Sequence, residues 1–101
     1  MKLLFFGGFS FRDGGGVGRV SRSLAAEFVR QGHECSFLAT KPGDDEIVGG
    51  IPQLFVPNSK VNAGENRDYL RKVIADKEIN VIINQTGFND KAFDLLESVL
   101  D

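Results

Sequence analysis

Five glycines fall within ten residues, at Gly7, Gly8, Gly14, Gly15 and Gly16. They stand between the apolar run Lys2 to Phe6 and a stretch of helical periodicity. Glycine permits positive φ and close approach of backbone to another group, so residues 7–16 read as a loop. A short apolar run, a glycine loop and an amphipathic helix in that order open an α/β unit. In such a unit the loop lies at the carboxyl end of its strand.

The helix is predicted from about Val17 to Gln31. Val17, Val20, Leu24 and Phe28 recur at spacings of three, four and four and form one apolar stripe, widened by Ala25 and Val29. Gly32 stands where a helix-ending glycine belongs. Glu34 to Thr40 reads as a second strand, stopped by Lys41-Pro42-Gly43. Asp44-Asp45-Glu46 reads as a solvated acidic loop. Ile51 to Val56 is a third strand, and Pro52 near its start predicts an edge position.

A second helix covers about Ala63 to Lys77, with Leu70, Val73, Ile74 and the stem of Lys77 as its stripe. Ile79 to Asn84 is a fourth strand. Its continuous Val81-Ile82-Ile83 implies burial on both faces. Gln85-Thr86-Gly87 is its exit loop. Asn89 or Asp90 caps a third helix ending near Leu100, with Ala92, Phe93, Leu96, Val99 and Leu100 inward.

Alternation of strands and helices predicts right-handed crossovers. The expected fold class is α/β: a Rossmann-like, mostly parallel sheet of about four strands in order 3-2-1-4, with helices on both faces. The third helix ends where another strand would follow, so the outer edge of the fourth strand is expected to be open.

Composition narrows the function. With 101 residues the chain suits one domain. Twelve basic against 14 acidic residues leave a net charge of -2, which offers no surplus for binding nucleic acid. One cysteine, Cys35, excludes an internal disulfide, and no zinc-ligand cluster occurs. No apolar run approaches the ~18 residues of a membrane span. The expected location is cytoplasmic, with the inner face of a membrane as the other place where such a chain would sit.

The candidate site is the glycine loop with the helix it opens. A helix N-terminus favours an anion, and Arg19 adds a forked cation. Gln85 and Thr86 stand at the same sheet edge, where amide and hydroxyl groups suit sugar hydroxyls. Gly16-x-Gly18-x-x-Ser21 approaches a dinucleotide fingerprint, but the loop is long and no acid follows the second strand to hold a ribose. A phosphate loop of the G-x-x-x-x-G-K-[ST] type is absent. His33 lies at the amino end of its strand and reads as structural, as does the inward Cys35. Asp13 and Asp90 read as loop and cap residues. No catalytic pair, metal site or cofactor site is assigned.

These residues resemble a known family. Met1-Lys2-Leu3-Leu4-Phe5-Phe6-Gly7-Gly8-Phe9, Gly14-Gly15-Gly16-Val17-Gly18-Arg19-Val20, Leu24-Ala25 and Arg30-Gln31-Gly32-His33-Glu34 are similar to the amino terminus of the GT-B glycosyltransferases, in particular the retaining family 4 group. Val81-Ile82-Ile83-Asn84 resembles a later strand of that family. The resemblance implies that residues 1–101 are a truncated amino-terminal domain of a two-domain enzyme. That enzyme moves a sugar from a nucleotide-sugar to a glycan or lipid-linked acceptor.

It also implies a substrate- or phosphate-binding role for Gly15, Gly16, Val17, Gly18 and Arg19. Gly18 stands where the family often has glutamate, and Gln85 and Thr86 stand where it often has histidine. The donor-binding residues belong to a carboxy-terminal domain, so this stretch alone has no complete active site. The implied partners are the nucleotide-sugar, the acceptor and that second domain, with a second copy of the chain expected at the open sheet edge. The alternative from the residues alone is a small α/β binding module for a phosphorylated ligand or a partner subunit.

Overall fold

The computed structural model describes residues 1–13, 15–86 and 89–100. Its elements run β1 (Lys2–Gly7), α1 (Gly15–Arg30), β2 (Glu34–Ala39), β3 (Glu46–Val48), β4 (Ile51–Phe55), α2 (Gly64–Asp76), β5 (Val81–Asn84) and α3 (Asp90–Glu97). The fold is α/β. One five-stranded sheet has the order β3-β4-β2-β1-β5. β1 pairs in parallel with β2 and β5, and β2 pairs in parallel with β4. β3 pairs antiparallel with β4, so the sheet is mixed.

The side chains of β1 alternate between two cores. Leu3 and Phe5 face Cys35, Phe37, Ile51 and Ala25 of α1. Leu4 and Phe6 face Leu38, Val56, Leu70 and Val73 of α2, and Ala92, Leu95 and Leu96 of α3. α1 therefore covers one face of the sheet, and α2 and α3 cover the other. A run apolar at every position is what two buried faces require.

Four expectations are corrected. The sheet has five strands because Glu46 to Val48 folds back on β4 through Gly49 and Gly50, both at positive φ (58° and 82°). Two consecutive positive-φ residues match the twist of a tight hairpin. Glu46 thereby leaves the solvated acidic loop, and its carboxylate lies 2.8 Å from Nη2 of Arg12. The contact is an ion pair off the hydrogen-bond line. β4 is internal rather than an edge. Pro52 is tolerated because pairing with β2 begins one residue later, at Gln53.

The third correction concerns α1. The predicted stripe is largely outside: Val17 is 54% exposed, Val20 63% and Leu24 39%. The helix buries Gly18, Ser21 and Ala25 instead, with Phe28 half-buried. Small residues let the helix axis approach the sheet closely, and that contact outweighs the burial of larger side chains one step round the helix. α3 shows the same shift: Ala92, Leu95 and Leu96 are buried while Phe93 and Leu100 are exposed.

The fourth concerns β5. Val81, Ile82 and Ile83 are only half-buried, because β5 pairs with β1 alone among the described strands. Its position beside β1 agrees with the predicted order. No described helix is long and apolar enough to cross a membrane.

Candidate functional site at the carboxyl edge of the sheet

β1 and β5 run parallel, so Gly8 and Gln85 emerge side by side. The amide of Gln85 donates to the carbonyl of Phe6 at 2.7 Å, and the amide of Thr40 donates to that of Gly7 at 2.9 Å. Three strand exits are thus tied together. From β1 the chain leaves to α1 on one face, and from β5 it leaves to α3 on the other. Connections that part in this way leave a crevice between them.

A cavity of about 360 Å³ occupies that crevice, lined by Gly8, Phe9, Phe11, Val17, Gly18, Gln85, Thr86 and Asn89. Its size lies within the usual range for small-ligand sites. Of the predicted residues, Val17, Gly18, Gln85 and Thr86 come together here. Gly15, Gly16 and Arg19 are exposed on α1 and do not line the cavity. Gly14 and Gly87 lie outside the described residues.

The loop from β1 to α1 is built rather than slack. α1 begins at Gly15, which shortens the predicted loop. Phe11 is buried, its ring 4.6 Å from that of Phe37 with the planes 3° apart. Its amide donates to Oε1 of the buried Gln53 at 2.8 Å. Arg22 reaches back from α1, and its guanidinium donates to the carbonyls of Phe11 and, at 2.9 Å, Arg12.

Gly18 has a steric reason. A Cβ there would sit 3.0 Å from the carbonyl oxygen of Phe11. The glycine lets α1 close on the loop.

Phe9, Phe11, Gly8 and Asn89 complete the cavity and were not anticipated as site residues. Asn89 caps α3, accepting from the amide of Ala92 at 3.1 Å. Asn84 accepts from both the amide and the hydroxyl of Thr86, at 3.0 and 2.6 Å, which orients Thr86. The lining residues carry no charge. α1 has no acidic residue in its first turn, and Asp13 stands two residues before its positive N-terminal end.

A second cavity, of about 470 Å³, opens at the opposite, amino end of the sheet, where Lys2, His33, Glu34, Cys35, Asp76 and Lys77 are among its lining. The amino group of Met1 donates to Nδ1 of His33 at 2.8 Å, and the thiol of Cys35 donates to the carbonyl of Ala25 at 3.7 Å. Burial pushes the Cys35 thiol pKa up, partly offset by the Met1 amino group. His33 and Cys35 thus lie away from the crevice, with structural partners. Among the described residues no His, Cys, Asp and Glu cluster could hold a metal ion.

No protein-family model matches this chain, and neither a curated protein nor a solved structure matches it.

Proposed function

We propose that the chain is the acceptor-side, amino-terminal Rossmann-like part of a GT-B glycosyltransferase, acting in the cytoplasm. The observation that carries this reading is the cavity at the carboxyl edge. It joins Val17 and Gly18 of the glycine-rich segment to Gln85 and Thr86, two stretches about 70 residues apart in sequence. Neutral hydrogen-bonding groups beside an apolar wall suit a sugar, whose ring has hydroxyl edges and a C–H face. The positive end of α1 beside them suits the diphosphate of a nucleotide-sugar. The donor-binding residues of a complete transferase belong, on this reading, to a carboxy-terminal domain.

Amide-resolved NMR titration tests it. Uridine diphosphate and a neutral disaccharide are expected to shift Gly8, Phe9, Val17, Gly18, Gln85 and Thr86. Shifts centred on His33, Cys35 and Lys77 would place binding at the wrong end of the sheet and defeat the reading. Incubated with common nucleotide-sugars, the chain alone is expected to release no nucleotide above a Gly16→Val, Arg19→Ala control.

A further inference from the structure

The rim of the carboxyl-edge cavity carries two residues with no part in the fold's core. Phe9 is 66% exposed, a large apolar ring held out to solvent on the loop that Phe11 anchors. Lys41 follows Thr40 at the exit of β2, and its ammonium lies over the Phe9 ring, 5.5 Å from the centroid. That distance is a cation–π contact, which orients the ammonium at the rim. Lys41 enters none of the three ion pairs formed among the described residues, which are Lys2–Glu78, Arg12–Glu46 and Arg30–Glu27.

The position of the pair is fixed by backbone. The Thr40 amide donates to the Gly7 carbonyl, so the residues after β1 and β2 leave the sheet together. The cavity wall continues from Phe9 through Val17 to Gln85 and Thr86, with no carboxylate among its lining residues. The lining is therefore aromatic at Phe9 and Phe11 and carries amide and hydroxyl groups at Gln85, Thr86 and Asn89, and beside it, on the Phe9 ring, stands a cation with no ion-pair partner among the described residues.

We propose that this edge selects a sugar bearing an anionic group, a phosphate or a carboxylate, with the sugar ring taking the place of the Lys41 ammonium against Phe9 and the displaced ammonium turning onto the anion. The inference rests on the reading that the cavity holds a sugar, and it adds the charge of that sugar and the two residues that select it. The ring needs a flat apolar surface, which Phe9 supplies. The anion needs a donor that is not already neutralised, which Lys41 supplies as a compact point charge.

The test is an amide-resolved NMR titration of the whole chain with glucose, glucose 6-phosphate, glucuronate and inorganic phosphate. Glucose 6-phosphate and glucuronate are expected to bind roughly fivefold more tightly than glucose, the scale of one exposed charge contact. Inorganic phosphate is expected to bind more weakly than either. Lys41→Gln, an exposed change that leaves the core intact, is expected to bring the two anionic sugars down to the level of glucose. Phe9→Ala is expected to weaken all three sugars and leave phosphate unchanged.

Equal binding of glucose and glucose 6-phosphate overturns the proposal and leaves the sugar site standing. Phosphate binding as tight as the sugar phosphate, or a preference that survives Lys41→Gln, also overturns it. Absence of any shift at the edge with all four probes defeats the sugar-site reading, and this proposal with it.

Discussion

Phe11 stacks on Phe37 with the two rings nearly parallel, and Phe5 meets both edge-on at 6.3 and 5.6 Å. A loop residue has thereby become a core residue, and the rim of the cavity inherits the rigidity of the sheet. Phe11→Ala is expected to cost about 3–5 kcal/mol, the usual scale for removing a buried phenylalanine. Urea denaturation followed by circular dichroism measures it. A loss below about 1 kcal/mol would mean that the loop is not anchored by this ring.

The buried face of α1 yields two predictions of opposite sign. Gly18→Val drives a branched side chain toward the Phe11 carbonyl and is expected to destabilise by about 1–3 kcal/mol. Ser21 is fully buried, and its hydroxyl has no partner among the described residues. Ser21→Ala removes that unpaired group and raises helix propensity, so the variant is expected to be at least as stable as the parent. Parallel thermal melts decide both. A Ser21→Ala variant that melts well below the parent would show that the hydroxyl is satisfied.

Asn66 is a second buried polar hub. Its amide donates to the carbonyls of Asn58, Lys60 and Val61 at 2.9 to 3.0 Å, and its oxygen accepts from the Asn58 amide. Asn66→Ala strands these groups and is expected to cost about 3 kcal/mol. Asn66→Asp sets a carboxylate against three carbonyl oxygens, which disfavours the charged form. Its folded-state pKa lies above the unfolded one, so its stability is present at low pH and falls as pH rises through the ordinary aspartate range. Melting temperatures between pH 3 and 7 read the slope, about 3 and 7 spanning the titration of a carboxylate raised in this way. A flat profile would contradict it.

Cys35 titrates above the ordinary thiol value in the folded state because burial opposes the thiolate. The folded chain then holds a proton that the unfolded chain has lost, so this group's contribution to stability falls as pH rises past the ordinary thiol range. Alkylation by iodoacetamide at neutral pH is expected to be much slower in the folded chain than in urea. Equal rates in the two states would refute the burial argument.

β5 offers its outer edge without charge, proline or bulge in Val81-Ile82-Ile83, and such an edge favours pairing with another strand. Concentration-dependent self-association is expected by sedimentation equilibrium, with slower amide exchange in β5 as concentration rises. A chain that stays monomeric across the whole series excludes it.

Much of this was readable from local pattern. The order around β1, the shared edge of the two loops and a cap at Asn89 or Asp90 follow from period, turn chemistry and crossover handedness. The buried face of α1 does not follow from its stripe, because periodicity reports where apolar residues recur, whereas Gly18, Ser21 and Ala25 decide which side can come closest. β3 is three residues long and its first is Glu46, so no apolar run announces it. Phe9 and Phe11 looked alike in sequence. Their opposite fates, one outside and one stacked, depend on Gln53 and Arg22, which lie 42 and 11 residues from Phe11.

The hairpin at the far side of the sheet has a consequence for assembly. Its outer strand is three residues long and its first carboxylate is held by Arg12, so that end offers little backbone to a newcomer. Among the described strands, growth by strand addition is then directional, with β5 as the receptive edge. Two copies that join through β5 consume both receptive edges at once, and the product is a closed pair rather than a filament.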